Sequence, residues 1–108
     1  MDKPELFAGT LDLLILKVLG GGPLHGFAIA ERIHALSRSV LIVEEGSLYP
    51  CLYRMDAKGW IEPEWGQSDK GRRAKFYSLT PLGRKQLASE RAAWDRMAVA
   101  IGDVLRSS

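Results

Sequence analysis

The chain has 108 residues, 46% of them apolar, and a net charge of +2, a size that suits one domain. No apolar run approaches the roughly 18 residues that cross a bilayer, and no charged-then-apolar leader precedes Thr10. The single cysteine, Cys51, excludes a disulfide framework, so the cytoplasm is the expected compartment. The distribution of charge is more informative than its sum. Residues 67 to 85 hold Lys70, Arg72, Arg73, Lys75, Arg84 and Lys85 against Asp69 alone, a local +5 that leaves −3 for the remainder. One flank of an otherwise acidic protein is suited to an anion.

Residues 1 to 9 show no periodicity and read as a loose arm. From Thr10, whose hydroxyl suits an N-cap, with Asp12 in the first turn where the dipole favours an anion, a helix runs through Leu14, Ile15, Val18 and Leu19. Leu11, Leu13 and Leu16 make it apolar almost all round, which predicts the buried central helix of a small core. Gly20, Gly21, Gly22 and Pro23 end it. A second helix starts near His25 or Gly26 and carries Phe27, Ala30, Ile33 and Leu36 toward the core, with Glu31, Arg32 and His34 toward water. Val40 to Val43 is a β-branched run long enough for one short strand.

The stretch GSLYPCLYRMDAKG, from Gly46 to Gly59, predicts a helix capped by Ser47 with Pro50 in its first turn and Gly59 as its stop. Leu48, Leu52 and Met55 form its apolar stripe. The opposite face, Ser47, Tyr49, Pro50, Tyr53, Arg54 and Ala57, is flat, small or donor-bearing instead of the Glu/Lys mixture of a solvent face. Such a face wants a partner surface. Next, Trp60 to Trp65 and Arg72 to Leu79 flank a Gly-bounded polar tip and read as a hairpin with a longer loop. Thr80 and Pro81 open a last helix of about twenty-five residues, roughly 37 Å at the standard rise.

The predicted fold is therefore mostly α with a small β-hairpin wing. A winged helix-turn-helix spans residues 10 to 79, and residues 80 to 108 form a long C-terminal dimerisation helix. In this fold the helix at Ser47 is the one that enters the major groove of duplex DNA.

The segments GTLDLLILKVL, PLHGFAIAERI, EEGSLYPCLYRMDAKGWIE and RRAKFYSLTPLGRKQL, across about residues 9 to 88, resemble the PadR family of bacterial transcriptional regulators. The GSLYPCLYRM block with a downstream Y-x-L-T-P-x-G is the specific part of the match. The resemblance implies a winged-helix repressor that dimerises through its C-terminal helix and releases its operator in response to a small molecule or other cue. The single helix after the wing is similar to the smaller branch of the family, which lacks a separate C-terminal domain.

For DNA, the residues singled out on the recognition helix are Ser47, Tyr49, Pro50, Tyr53 and Arg54. Hydroxyls and phenols reach phosphates or base edges, and an arginine in the groove reads guanine bidentately. Tyr49 and Tyr53 have an alternative in packing against the wing or the second helix. Glu44 and Glu45 repel phosphate and suit the helix dipole better. On the wing, Lys70, Arg72, Arg73 and Lys75 alternate along an edge. Each phosphate they neutralise adds about 0.9 to the salt slope while carrying little sequence information; the alternative is a solvated loop.

In the last helix Leu87, Trp94 and Ile101 repeat every seven residues, and Met97 with Val104 or Ala98 with Leu105 makes a second seam. A second copy of the chain would cover both and set two recognition helices on a palindrome; folding back on the first helix is the alternative. The resemblance adds a possible role for Trp94 in stacking on a flat effector, against plain core packing. Trp60 and Trp65 read as hydrophobic supports. Cys51 would need a cationic neighbour such as Arg54 to become redox-active, and otherwise is a small buried hydrophobe. His25, beside Gly26, suits a helix N-terminus near a backbone phosphate.

No catalytic constellation, cofactor motif or metal spacing is present: His25 and His34 lack ligand companions, and the triple glycine lacks a following G-K-[ST]. An enzyme is not expected. Two other classes compete with DNA binding. One is a protein-interaction module without DNA, favoured by the −3 balance outside the basic flank. The other is a small-molecule receptor resting on Trp94.

Overall fold

The computed structural model describes residues 9 to 108; the arm expected at the N-terminus lies, but for Gly9, outside them. The elements in chain order are α1 (Thr10–Leu19), β1 (Leu24–His25), α2 (Gly26–Leu36), α3 (Glu45–Ala57), β2 (Ile61–Gln67), β3 (Arg73–Leu79) and α4 (Pro81–Arg106). The three strands form one antiparallel sheet in the order β1-β3-β2. This is the winged helix predicted from the sequence, with a long helix appended.

Helix α1 is central, as its apolar surround requires. Ile15, Leu16 and Leu19 are fully enclosed and meet Ile29 and Ile33 of α2, Leu48, Leu52 and Met55 of α3, and Ile61, Tyr77 and Leu79 at the base of the hairpin. Its start differs from expectation: Gly9, at φ 85°, is the N-cap, and Thr10 is already helical with no side-chain cap. On α2 the inward stripe is Gly26, Ile29 and Ile33 with Ala30 half-buried, whereas Phe27 and Leu36, expected in the core, are 63% and 64% exposed. The helix is rotated so that Gly26, Ile29 and Ile33, and not Phe27 and Leu36, face the core.

Val40 to Val43 is not a strand. Ser37 Oγ accepts from Leu41 N at 2.9 Å, Arg38 and Ser39 take left-handed backbone, and the segment runs as an extended connection into α3. Leu41 and Val43 turn onto the core while Val40 and Ile42 face out. The alternation suits a strand, but the segment lies in no ladder of the sheet, whose three strands pair only with one another. β1, too short to stand out in the sequence, takes the free edge of β3 instead, pairing Leu24 with Tyr77 and His25 with Phe76.

Helix α3 starts two residues earlier than its expected cap. Glu44 is the N-cap and Ser47 sits in the first turn, which moves Pro50 into the second. Pro50 has no N–H to offer the Gly46 carbonyl one turn back, a loss tolerated because this face of the helix is exposed. The end is as expected. Gly59, at φ 77°, donates to Asp56 O at 2.9 Å and Trp60 N donates to Met55 O at 3.1 Å, the paired bonds of a glycine-terminated helix.

Thr80 Oγ1 accepts from Gly83 N at 3.0 Å, and Pro81 occupies the first turn of α4. Gly83 lies against the Trp60 carbonyl so closely that any Cβ there would collide with backbone. The N-terminal part of α4 is thereby seated on the hairpin, with Leu87 packed onto the core. Beyond Glu90 the helix is exposed except at Gly102. It does not fold back along α1 over its whole length.

Candidate nucleic-acid interface

The buried stripe of α3 is Leu48, Cys51, Leu52 and Met55. Helical periodicity then points Pro50, Tyr53 and Ala57 away from the core, with Tyr49 on one flank and Ser47, Arg54 and Lys58 on the other. Tyr53 stands 80% exposed at the crest. Each flanking residue is held by a different neighbour.

On one side Tyr49 lies over the first residue of α2. A Cβ added at Gly26 would stand 2.5 Å from its Oη, so the phenol occupies space that only glycine leaves open. The contact with the second helix, one of the two sequence readings for Tyr49, exists, and the ring still keeps 45% of its surface exposed. Behind it Tyr77 is buried, and burial, with Tyr49 and Asp56 nearby, raises the pKa of its phenol.

On the other side Arg54 reaches across to α1. Its Nη2 donates to Asp12 Oδ1 at 2.8 Å, and the same oxygen accepts from Cys51 Sγ at 2.7 Å. Arg54 therefore offers its face half-committed, with its side chain 50% exposed. Cys51 is buried, and burial first, then its bond to Asp12, pushes its thiol up to about 12. That direction is opposite to the one a redox-active thiol needs.

The wing lies on the Tyr49 flank. Ser68 N donates to Arg72 O at 2.8 Å and Gly71 N to Ser68 O at 2.9 Å, with Gly71 at φ 74°, which closes the tip. In the β2–β3 register Ile61, Pro63, Trp65 and Gln67 share a face with Leu79, Tyr77, Lys75 and Arg73. That face is core at its base and open at its tip. A groove of about 910 Å³ follows from it, walled by the start of α2, by Tyr49 and by the wing, with Phe27 and Trp65 as exposed aromatics. Lys70, Arg72, Arg73 and Lys75 line it against Glu31 and Asp69. The cations outnumber the acids two to one, so the groove attracts an anion.

The structure brings Tyr49 and all four wing cations to one groove and sets Pro50 and Tyr53 on the adjoining crest; Ser47 and Arg54 lie on the far flank. His25 is also in the groove wall, where Nδ1 caps α2 by accepting from Ala28 N at 3.2 Å and the ring meets Phe76 edge-on. Of the two tryptophans read as supports, Trp60 is half-buried against the core beneath Lys58, whereas Trp65 is open and carries the Arg73 guanidinium 4.6 Å above its ring. Phe27 on the groove wall and Asp12 beneath Arg54 carry no motif in the sequence that marks them. The only signal for Asp12 was an acid in a helix otherwise apolar almost all round.

Trp94, Met97, Ile101, Val104 and Leu105 are all exposed along the free part of α4, whereas Leu87 is packed within its own protomer. Trp94 does not line the groove. Among the described residues there is no cluster of three or more His, Cys, Asp or Glu side chains that could hold a metal, and no helix long and apolar enough to cross a membrane.

The chain is 35% identical over 94 residues to a transcriptional regulator of Mycobacterium tuberculosis, covering 87% of this chain and 84% of that one. A PadR family transcription regulator from Clostridium difficile superposes with a TM-score of 0.76 at 30% identity, over 90% of this chain and 99% of that one. A PadR-like transcriptional regulator from Bacillus cereus does so with a TM-score of 0.79 at 26% identity, over 93% and 95%. The family profile described as the transcriptional regulator PadR-like family matches residues 15 to 89, from the middle of α1 to the first turns of α4. The fold, the recognition-helix block and these likenesses agree, and the chain belongs to the PadR-like family of transcriptional regulators.

Proposed function

We propose that this regulator is a homodimeric repressor that binds palindromic operator DNA and is released by an effector. In this reading α3 enters the major groove with Ser47, Tyr49, Pro50, Tyr53 and Arg54, and the wing rests on backbone phosphates through Lys70, Arg72, Arg73 and Lys75. The free part of α4 pairs with that of a second copy through Trp94, Met97, Ile101, Val104 and Leu105, while Leu87 anchors the helix at the edge of that seam. An aromatic effector would stack on Trp94, whose indole is 46% exposed within the protomer. The observation that carries the reading is the juxtaposition of the open crest of α3 with a groove whose wing wall sets Lys70, Arg72, Arg73 and Lys75 against Asp69 alone.

The experiment is binding to a duplex from the region upstream of its own gene, titrated across salt, with random duplex as control. Tight binding with a steep log–log slope and weaker random binding is expected. Arg72→Ala with Arg73→Ala should weaken binding to both duplexes and flatten the slope by about 2. An unchanged slope removes the wing from the mechanism. Equal and feeble binding of the unmodified protein to both duplexes returns the fold to the protein-interaction reading.

A further inference from the structure

The acid at the heart of the α1–α3 contact suits the first turn of α1, but the helix dipole asks only for an anion there and not for a buried pair with α3. Asp12 is the one charged residue of α1 that is buried, 7% exposed beside a core to which α1 and α3 bring Ile15, Leu16, Leu48 and Met55 among others. A buried ion pair is weak support for a fold, because desolvating two charges cancels much of their attraction and apolar residues of like volume often do as well or better. Its geometry is nonetheless specific. One oxygen, Oδ1, accepts from Arg54 Nη2 at 2.8 Å and from Cys51 Sγ at 2.7 Å, and Arg54 Nη2 also lies 3.5 Å from Cys51 Sγ. The thiol, raised in pKa, stays protonated and can keep donating.

The other end of this pair is on the recognition helix. Arg54 is half exposed and next in sequence to Tyr53, the most open large side chain of α3. Asp12 takes one hydrogen of Nη2, so that a parallel fork toward a base is made by the second Nη2 hydrogen with its neighbour Nη1 or Nε. An arginine reads guanine through two parallel bonds from its planar fork, so its plane must be set before a correct base is worth more than a wrong one. A free arginine finds any phosphate; a clamped one discriminates.

We infer that Asp12 is a positioning residue for base readout, holding the Arg54 guanidinium in a fixed pose at the flank of α3 with the Cys51 thiol as a second clamp on the same oxygen. The inference rests on the DNA-binding reading above. Asp12 never meets DNA and acts through Arg54 alone.

The test is the ratio of affinities for the upstream duplex and for random duplex, measured at one salt concentration for Asp12→Asn, Arg54→Ala and the double variant. Asp12→Asn keeps the shape and removes the charge. It should lower the ratio about tenfold, the low end of what one bidentate contact discriminates, without weakening random binding. In the Arg54→Ala background the same change should move the ratio less than about twofold, since non-additivity marks residues that act through one another. An unchanged ratio in Asp12→Asn, or a full loss persisting without Arg54, overturns the inference; the latter assigns Asp12 to the fold. Should Asp12→Asn fail to fold, Arg54→Lys carries the test. It retains a cation for Asp12 and loses only the planar fork, so the ratio should fall while the melting temperature holds, and an unchanged ratio again overturns the proposal. Unmodified protein that binds both duplexes alike overturns the DNA reading and this inference with it, a result visible before any variant is made.

Discussion

Cys51 lies inside α3 with its Sγ hydrogen-bonded to Asp12 and 3.6 Å from Met55 Sδ. Reactivity of a cysteine follows its thiolate, and here burial and the adjacent carboxylate both favour the thiol, outweighing the Arg54 charge that alone would lower its pKa. Thiol reagents at pH 8 should therefore leave the native protein unmodified over a period in which the urea-unfolded chain reacts fully; comparable rates would mean that the site opens readily. The linkage has a definite sign. A thiol whose folded value is raised from 9.0 to about 12 contributes stability that is complete below pH 9 and is lost as pH rises through that window. The stability difference between the protein and Cys51→Ala, from urea unfolding, should accordingly shrink from pH 9 upward. A difference independent of pH would contradict the burial of the thiol, and with it its bond to Asp12.

Between elements, the contact that places Tyr49 on the exposed side of α3 is the one between α2 and α3. His25 caps α2 through Nδ1, which brings the next residue, Gly26, under the Tyr49 ring. The space is closed only by the far end of a flexible side chain, so a Cβ at Gly26 swings the tyrosine aside without breaking backbone. Gly26→Ala should keep stability within about 1 kcal/mol, since alanine is also the better helix former. Affinity for the upstream duplex should fall about tenfold as Tyr49 leaves its place, which a binding isotherm measures beside a thermal melt. Unchanged affinity would give Tyr49 a packing role only. Gly83 presents the opposite case: its neighbour is the Trp60 carbonyl, backbone that cannot step aside, and this rigid seat directs α4 away from the core.

At the scale of the whole molecule, that direction leaves α4 as an arm of a structure that measures 56 × 35 × 21 Å with the arm included. Trp94, Met97, Val99, Ile101, Val104 and Leu105 are all more than two-fifths exposed along it. An apolar surface of that extent is unusual on a small monomer. In the dimer proposed above, a second copy would contribute the same helix and cover both, which would link dimerisation to operator geometry. Ile101→Glu should weaken self-association about 30-fold or more, the scale of a buried interface anchor, read by sedimentation with helicity checked by circular dichroism. Retention of the dimer would remove this seam from the interface.

Features that depend on a few consecutive residues were legible in the chain itself. The Thr80–Pro81 start of α4, the Gly59 stop of α3, the apolar surround of α1 and the Gly-bounded wing tip all have local causes, namely caps, periodicity and left-handed backbone. The basic flank was equally legible, since the six cations between Lys70 and Lys85 are neighbours in sequence. What the tertiary structure alone decided are the pairings between distant residues. Arg54 meets an aspartate 42 positions away, which changes a free cation into a clamped one. Val40 to Val43 had the composition of a strand but lies in none of the sheet's ladders, and the edge of β3 went to Leu24 and His25. Phe27 had the spacing of a core residue and faces a groove, because the Gly26, Ile29 and Ile33 stripe of α2 took the side that meets the core. Local sequence sets which segments are helix or hairpin; the competition of whole faces for one small core sets which side chains remain outside to recognise a partner.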